Sequence, residues 1–254
     1  MSGLSDPATR RLAERLRQED PDRLAMAMLA RTEAQARLVT LYALNAELAR
    51  TALSARDPLI AEMRVQWWID LLGAMAVAPP PPHELLSPLW SAWGPRAAAL
   101  APLAEARRHD AAREPFETVE EVVAYADATG GALMAHAAQA LGAPDVPALH
   151  AQGRGAALTA WLRAHPALQP LGLGLAVAEP AQLAALARIA AQALRDAAEE
   201  RRTLPRAAAP ALFPGPAPMQ ALRAIMAGEP SPKPSDFTRR AALARLALTG
   251  RWWV

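Results

Sequence analysis

Alanine limits what this chain can fold into more than any other feature of the sequence. About a quarter of the 254 residues are alanine, which has the highest intrinsic helix propensity. Valine and isoleucine, which favour strands, are scarce. Because 52% of the residues are apolar, a chain of this length can also bury a sizeable core. These features predict an all-α protein.

The charge balance and the absence of cysteine exclude several classes of function. The formal net charge is only +2, and every basic residue except Lys233 is arginine. Nucleic-acid binding needs a clustered basic face, so we expect no nucleic-acid partner. Without cysteine, disulfides and thiolate metal sites are excluded. The chain has no signal-like apolar segment at its start and no apolar run of about twenty residues, so we expect a cytoplasmic protein.

Proline and glycine divide the chain into helical segments. A long helix is predicted over residues 33–53, where five residues at three- and four-residue steps form one buried stripe: Leu38, Leu41, Asn45, Leu48 and Ala52. The next helix, from Leu59 to about Val77, carries apolar residues on two faces, which predicts packing on both sides. Further helices are predicted over residues 9–18, 83–103, 118–141, 146–164, 182–201, 219–226 and 236–248. The proline-rich segments 205–218 and 230–234 resemble surface arms, so we predict one domain over residues 1–254.

Common catalytic and cofactor-binding motifs are absent from the sequence. It has no phosphate-binding Gly-Lys-Ser/Thr loop, no dinucleotide-binding glycine motif and no Gly-x-Ser-x-Gly motif. The five histidines show no three- or four-residue spacing to one another, so no histidine-based metal site is predicted.

Four ordered segments together resemble the squalene/phytoene synthase family. They are Leu41–Arg50, Arg64–Asp70, Tyr125–Met134 and Gly155–Arg163. The resemblance implies an isoprenoid-synthase-type helical bundle with a core over about residues 20–215 and a C-terminal arm over about 216–254. Composition leads independently to the same fold class.

The resemblance also implies a chemistry that this sequence has lost. Family enzymes join two prenyl diphosphates, and two aspartate-rich clusters hold the Mg²⁺ ions that stabilise the departing diphosphate. In this chain the aspartate positions fall near Ala49, Arg50 and Leu53 in the first segment and at Ala164 after the fourth. We therefore expect no catalytic residues, no metal site and no cofactor; Mg²⁺ would be needed only if the chain were an active synthase.

The Asn-x-Glu-x-Ala-Arg and Gln-Trp-Trp variants resemble a divergent branch of the family. That branch includes the mitochondrial complex I assembly factor with a phytoene-synthase-like domain. The resemblance implies a non-catalytic role with respiratory complex I subunits or assembly intermediates, at the surface of the inner membrane. An active prenyltransferase and a module that binds a prenyl diphosphate or an anionic lipid are the alternatives.

Polar and aromatic residues of these segments form a candidate pocket. Its members are Tyr42, Asn45, Glu47, Arg50, Arg64, Trp67, Trp68, Asp70, Tyr125, Thr159 and Arg163. In one interpretation Arg50, Arg64 and Arg163 hold an anionic headgroup. In the other, Glu47 and Asp70 neutralise the arginines in a buried network, which the near balance of charges favours.

Three further predictions concern aromatic residues and glycines. Trp67 and Trp68 are expected in the core. Tyr125 and the pair Gly130-Gly131 are expected to allow close helix contact, because glycine within a helix needs a packing reason. The terminal Trp252-Trp253 is a candidate contact with a membrane interface or a partner.

Overall fold

The structure is a computed structural model that describes residues 4–55 and 57–254, and it confirms the all-α prediction. In chain order its α-helices are α1 (Pro7–Glu19), α2 (Pro21–Leu29), α3 (Thr32–Leu53), α4 (Pro58–Ala74), α5 (Leu86–Trp93), α6 (Ala101–Glu105), α7 (Arg108–Ala112), α8 (Val119–Ala126), α9 (Ala132–Ala140), α10 (Pro147–Leu168), α11 (Pro180–Glu199), α12 (Pro218–Met226) and α13 (Asp236–Thr249). Short 3-10 helices cover Gly94–Leu100, Gln169–Leu171, Arg201–Thr203 and Arg206–Ala208.

Asp-Pro pairs begin several of these helices. The Asp6 side chain accepts a hydrogen bond of 2.8 Å from Thr9 N at the start of α1. Asp20 and Asp57 cap α2 and α4 in the same way. Each carboxylate satisfies an N–H group that has no partner within the helix, and proline at the first position fits the helical φ angle. These Asp-Pro pairs therefore mark where α2 and α4 begin, and the start of α4 agrees with the helix predicted from Leu59.

The chain divides into two compact units, Met1–Ala112 and Arg113–Val254. Unit 1 is built around α3, whose predicted stripe is buried: Leu38, Leu41 and Ala52 are 0% exposed, Leu48 2% and Asn45 9%. The helical spacing of apolar residues thus identified the core face of α3. The single domain over residues 1–254 stays a prediction.

Helix α4 is buried on one side only, which contradicts the prediction of two packed faces. Ala61, Val65, Trp68 and Leu72 are buried, while Met63 is 65% exposed. Apolar residues in the sequence cannot distinguish a second packed face from an open one, because both give the same periodicity.

Close backbone contacts organise unit 2. The helix predicted over residues 118–141 is interrupted by a π-helix at Asp127–Gly131, between α8 and α9. There Gly131 approaches Gly153 of α10 so closely that a Cβ on Gly153 would lie 3.0 Å from Gly131 O. The expectation that the Gly130-Gly131 pair allows close helix contact is confirmed.

Two segments expected at the surface are instead packed in unit 2. Residues 208–214 are buried, including Leu212 and Phe213, so a surface arm over 205–218 was wrong. Trp252 is 3% exposed, and its ring contacts Trp253 edge-on at 5.8 Å between centroids. Leu212 and Phe213 lie among prolines, and there hydrophobic burial outweighs the tendency of proline-rich segments to stay at the surface.

Within the part of the chain that the structure describes, no helix is both long and apolar enough to cross a membrane.

Adding one methyl group at Gly155 tests the packing of α10 against α11. A Cβ there would lie 2.6 Å from Leu194 Cγ and 3.0 Å from the backbone oxygen of Ala190. We expect Gly155→Ala to lower the free energy of unfolding by about 1–3 kcal/mol, because backbone must move to admit the methyl group. Urea denaturation measures the change.

The matched control is Gly73→Ala in α4, where a Cβ meets nothing within 4 Å. Alanine there reduces the entropy of the unfolded chain, so a gain of about 0.4–1 kcal/mol is expected. Equal effects at the two glycines would contradict the close contact at Gly155.

Candidate functional site

A buried polar network interrupts the apolar stripe of α3. Asn45 Oδ1 accepts a hydrogen bond of 3.1 Å from Arg107 Nη2. The same guanidinium donates to Asp110 Oδ2 at 2.9 Å, and both of these charged side chains are largely buried. Asn45 therefore joins α3 to the segment at the start of α7 within unit 1. A buried network exists, as one interpretation predicted, but its charged members are not the predicted ones.

Arg50 lies on α3 between two carboxylates. Its Nη1 donates to Glu19 Oε1 of α1 at 2.6 Å, and its Nη2 forms an ion pair with Glu47. All three side chains are partly exposed, so solvent screens the pairs and each contributes about 0.2–1 kcal/mol. Glu47 neutralises Arg50 as the network interpretation proposed, whereas the role of Glu19 was not foreseen.

Arg64 and Asp70, both on α4, do not pair with each other. Arg64 Nη1 donates to Ser54 Oγ at 2.7 Å. Asp70 Oδ1 accepts from Gln66 Nε2 of its own helix at 2.6 Å. Both residues are exposed, and among the described residues Arg64 has no carboxylate partner. The predicted neutralisation of Arg64 by Asp70 was therefore wrong, because six helical positions place the two side chains on different faces.

The open side of α4 forms a cleft of about 670 Å³ with the end of α3. We call it the α4 cleft. It is lined by Glu47, Arg50, Thr51, Ser54, Ile60, Met63, Arg64, Trp67, Trp68 and His83.

The two tryptophans of α4 divide between the core and the cleft. Trp68 is 3% exposed, and its Nε1 donates to Thr51 Oγ1 at 3.1 Å. Trp67 is 47% exposed and meets Trp68 edge-on at 5.1 Å between ring centroids. His83 lies 5.6 Å from the Trp68 ring. The core expectation is confirmed for Trp68 and wrong for Trp67.

The α4 cleft combines an open apolar surface with a positive charge that has no carboxylate partner among the described residues. Ile60 and Met63 expose much of their side chains beside Trp67, and Arg64 is the charge. Apolar walls with a few convergent polar groups are typical of ligand pockets, and exposed tryptophan, methionine and arginine are enriched at protein interfaces. The cleft can therefore receive an apolar group that carries negative charge, or the side chains of a partner.

Five of the predicted pocket residues meet in this cleft: Glu47, Arg50, Arg64, Trp67 and Trp68. Sequence reasoning missed Thr51, Ser54, Ile60, Met63 and His83. For α4 a signal was available, because Ile60, Met63 and Trp67 recur at three- and four-residue steps on one face.

The other predicted residues do not line the cleft. Tyr42 of α3 is 2% exposed, the Arg23 guanidinium lies 5.7 Å from its ring centroid, and burial raises the pKa of Tyr42 to about 12. In unit 2, Thr159 Oγ1 donates to Gly155 O at 2.6 Å, and the Tyr125 ring contacts Phe116 at 5.2 Å.

Arg163 lies in a second cleft, of about 650 Å³, within unit 2. Its Nη2 donates to Pro216 O at 2.7 Å and to Ala217 O at 3.2 Å. Burial lowers the pKa of the Arg163 guanidinium. The side chain holds the backbone before α12, which is a structural role that sequence spacing did not reveal.

The positions near which the family resemblance places aspartates lie on α3 and α10. Ala49, Arg50 and Leu53 occupy the last turns of α3, and Ala164 lies in α10 next to the buried His165. Over residues 4–55 and 57–254, no group of three or more histidine, aspartate or glutamate side chains is placed to hold a metal ion. Among the acids near these α3 positions, Glu19 and Glu47 bind Arg50.

Comparison with known proteins decides the family. The family model for squalene/phytoene synthase matches residues 16–172, which is more than half of the chain. The chain belongs to the squalene/phytoene synthase family. This membership confirms the resemblance carried by the four sequence segments.

Two curated relatives share 28% identity with this squalene/phytoene synthase family member over 165 residues, or 60% of its length. Both are named NADH dehydrogenase (ubiquinone) complex I, assembly factor 6, from Mus musculus and from Rattus norvegicus. The match spans 48% of each relative, so the chain covers about half the length of these proteins.

A solved structure confirms the isoprenoid-synthase-type fold. A dehydrosqualene synthase crystallised in complex with a ligand superposes with a TM-score of 0.69 at 15% identity. The match covers 94% of this chain and 95% of that one.

Replacing Asn45 tests whether its network stabilises unit 1. We expect Asn45→Ala to lower the free energy of unfolding by about 1–3 kcal/mol, because Arg107 loses a buried acceptor. Asp70→Ala is the control, since that exposed carboxylate bonds within α4, and a change within about 0.5 kcal/mol is expected. Urea denaturation of both variants measures the free energy of unfolding. An unchanged value for Asn45→Ala would show that the network does not stabilise unit 1.

Proposed function

We propose that this family member has lost metal-dependent prenyl transfer and acts in the assembly of the respiratory NADH dehydrogenase. One observation carries the loss of catalysis. Arg50 occupies a position where the family resemblance places an aspartate, and it binds Glu19 and Glu47. A cation therefore occupies the place of a metal ligand and engages the carboxylates around it.

The chemistry explains why this substitution matters. Departure of a diphosphate develops negative charge that Mg²⁺ stabilises as a Lewis acid. Each 1.36 kcal/mol of lost transition-state stabilisation lowers the rate tenfold. A loss of several kcal/mol therefore lowers it by orders of magnitude. Alanine, arginine and leucine on α3, with alanine on α10, offer none of the hard oxygen ligands that Mg²⁺ prefers.

The assembly role is supported by the two curated relatives named as complex I assembly factors. The matched segment covers about half of those proteins. The chain would therefore perform only the part of their activity that belongs to the matched half. Subunits or assembly intermediates of the complex are the partners that we propose. The α4 cleft, with exposed Trp67 and Met63, is the surface in unit 1 best suited to receive them. Association with the surface of the inner membrane belongs to this proposal.

The two parts of the proposal are tested separately. With Mg²⁺ and farnesyl or geranylgeranyl diphosphate, we expect the purified chain to form no condensed prenyl product, while a dehydrosqualene synthase assayed in parallel does. Deletion of its gene is expected to lower the NADH:ubiquinone oxidoreductase activity of membranes several-fold relative to succinate:ubiquinone oxidoreductase activity. A plasmid copy should restore it.

Either part can fail alone. Magnesium-dependent turnover would establish the active prenyltransferase alternative. An unchanged ratio of the two respiratory activities after deletion would remove the assembly role.

A second candidate function is the binding of a prenyl diphosphate or an anionic lipid without chemistry. The observation that favours it is the uncompensated Arg64 beside the apolar wall of the α4 cleft. A guanidinium without a carboxylate partner is available to an anionic group.

This binding is tested by thermal unfolding with farnesyl thiodiphosphate, with and without Mg²⁺. We expect stabilisation without Mg²⁺, of about 2.7 kcal/mol at a ligand concentration one hundred times the dissociation constant. Arg64→Ala should abolish it, and Arg96→Ala, which removes an exposed arginine outside the cleft, should not. A stabilisation that requires Mg²⁺, or none at all, would contradict this function.

A further inference from the structure

Helix α13 presents an apolar stripe to solvent. Phe237, Ala241, Ala244 and Leu248 are spaced by four, three and four residues, which places them on one side of the helix. All four are exposed, and Phe237 and Leu248 reach 82% and 80%. A large apolar side chain normally gains by burial, so this stripe is a surface that lacks a partner in the isolated chain.

Helix α13 packs on unit 2 through the side opposite the stripe. Leu246, on that side, is 2% exposed. After the helix, Gly250 turns the chain with φ +67°, and the buried Trp252 follows. The Arg201 guanidinium lies 5.6 Å from the Trp253 ring centroid. The stripe is therefore not the face by which this segment meets unit 2.

Net positive charge lies beside the stripe. Helix α13 carries one acidic residue, Asp236, and three arginines, Arg239, Arg240 and Arg245, and Arg239 Nη1 lies 3.8 Å from Asp236 Oδ1. At about 100° per residue, Arg240 and Arg245 flank the stripe on opposite sides. Both are exposed, and neither forms an ion pair with a described carboxylate. Their charges are therefore free to act on a surface in front of the helix.

We propose that α13 docks on an anionic lipid bilayer, with its stripe among the headgroups and Arg240 and Arg245 on lipid phosphates. A basic helix with one apolar face lies in the plane of the membrane interface. The charge pattern favours this occupant, because Asp236 pairs with Arg239 and leaves Arg240 and Arg245 as a positive excess beside the stripe. Two large apolar residues give modest insertion, so binding depends on lipid charge and is reversible.

The full chain is tested by flotation with two kinds of vesicle. One contains equal parts of phosphatidylcholine and phosphatidylglycerol, and the other contains phosphatidylcholine alone. We expect binding to the anionic vesicles only, with release as salt rises. Arg240→Glu with Arg245→Glu should weaken binding at least about twenty-fold, because each cation contributes about five-fold near an anionic surface. Phe237→Gln with Leu248→Gln should weaken it without a change in net charge.

Matched controls keep the result specific to α13. Arg10→Glu with Arg96→Glu makes the same change in net charge at exposed positions elsewhere, and Val77→Gln with Val177→Gln removes exposed valines elsewhere. Both controls should bind like the unaltered chain. All the changed side chains are exposed, so the melting temperature of each variant is expected to stay the same.

Several results would overturn the proposal. They are equal binding to both vesicles, no binding, unchanged binding of the α13 variants, and equal loss in the controls. A second copy of the chain would be the occupant if the Phe237 and Leu248 variant converted a dimer into a monomer while no form bound vesicles. Docking by α13 rests on the membrane association included in the proposed function. Vesicle binding is measured without respiratory activity, so its failure can be told apart from failure of the assembly role.

Discussion

Close packing through very small side chains is the constraint on which each unit of this protein depends. In unit 1, Ala52, Ala61 and Ala111 pack with Val65 in one buried cluster. In unit 2, Gly155 lies against Leu194 and the backbone of α11. An alanine buries little area by itself, so stability comes from many dispersion contacts at short helix separations. The fold therefore tolerates variation on its exposed faces far better than one extra methyl group inside.

The same scaffold places a positive side chain among carboxylates near the end of α3. At Arg50, one guanidinium binds two carboxylates, those of Glu19 and Glu47. Aspartates at such positions would repel one another until a divalent cation bound. The arginine at position 50 pairs with its neighbouring carboxylates without needing a metal ion. The arrangement of the helices is preserved, since the fold matches a dehydrosqualene synthase at a TM-score of 0.69 while only 15% of the residues are identical.

Two surfaces of this protein are suited to binding. The open side of α4 and the outer stripe of α13 expose large apolar residues beside uncompensated arginines, Arg64 on one and Arg240 and Arg245 on the other. Exposed apolar surface costs free energy in water, so such faces are typical of sites that bind a partner or a membrane. The two surfaces differ in shape. A cleft selects by complementarity, whereas a convex helix face suits a bilayer.

Residue pattern alone was enough to predict the all-α class, the buried stripe of α3, the glycine contact and the family. These depend on local propensity and on periodicity, which are properties of neighbouring residues. The packing of the helices, which the pattern does not specify, left one of two apolar faces on α4 open, kept Arg64 away from Asp70 and buried Trp252. The physical reason is that exposure and charge pairing depend on which helices lie opposite, and residues distant in sequence fix that arrangement. A helical pattern specifies a face, but what covers that face is decided by packing.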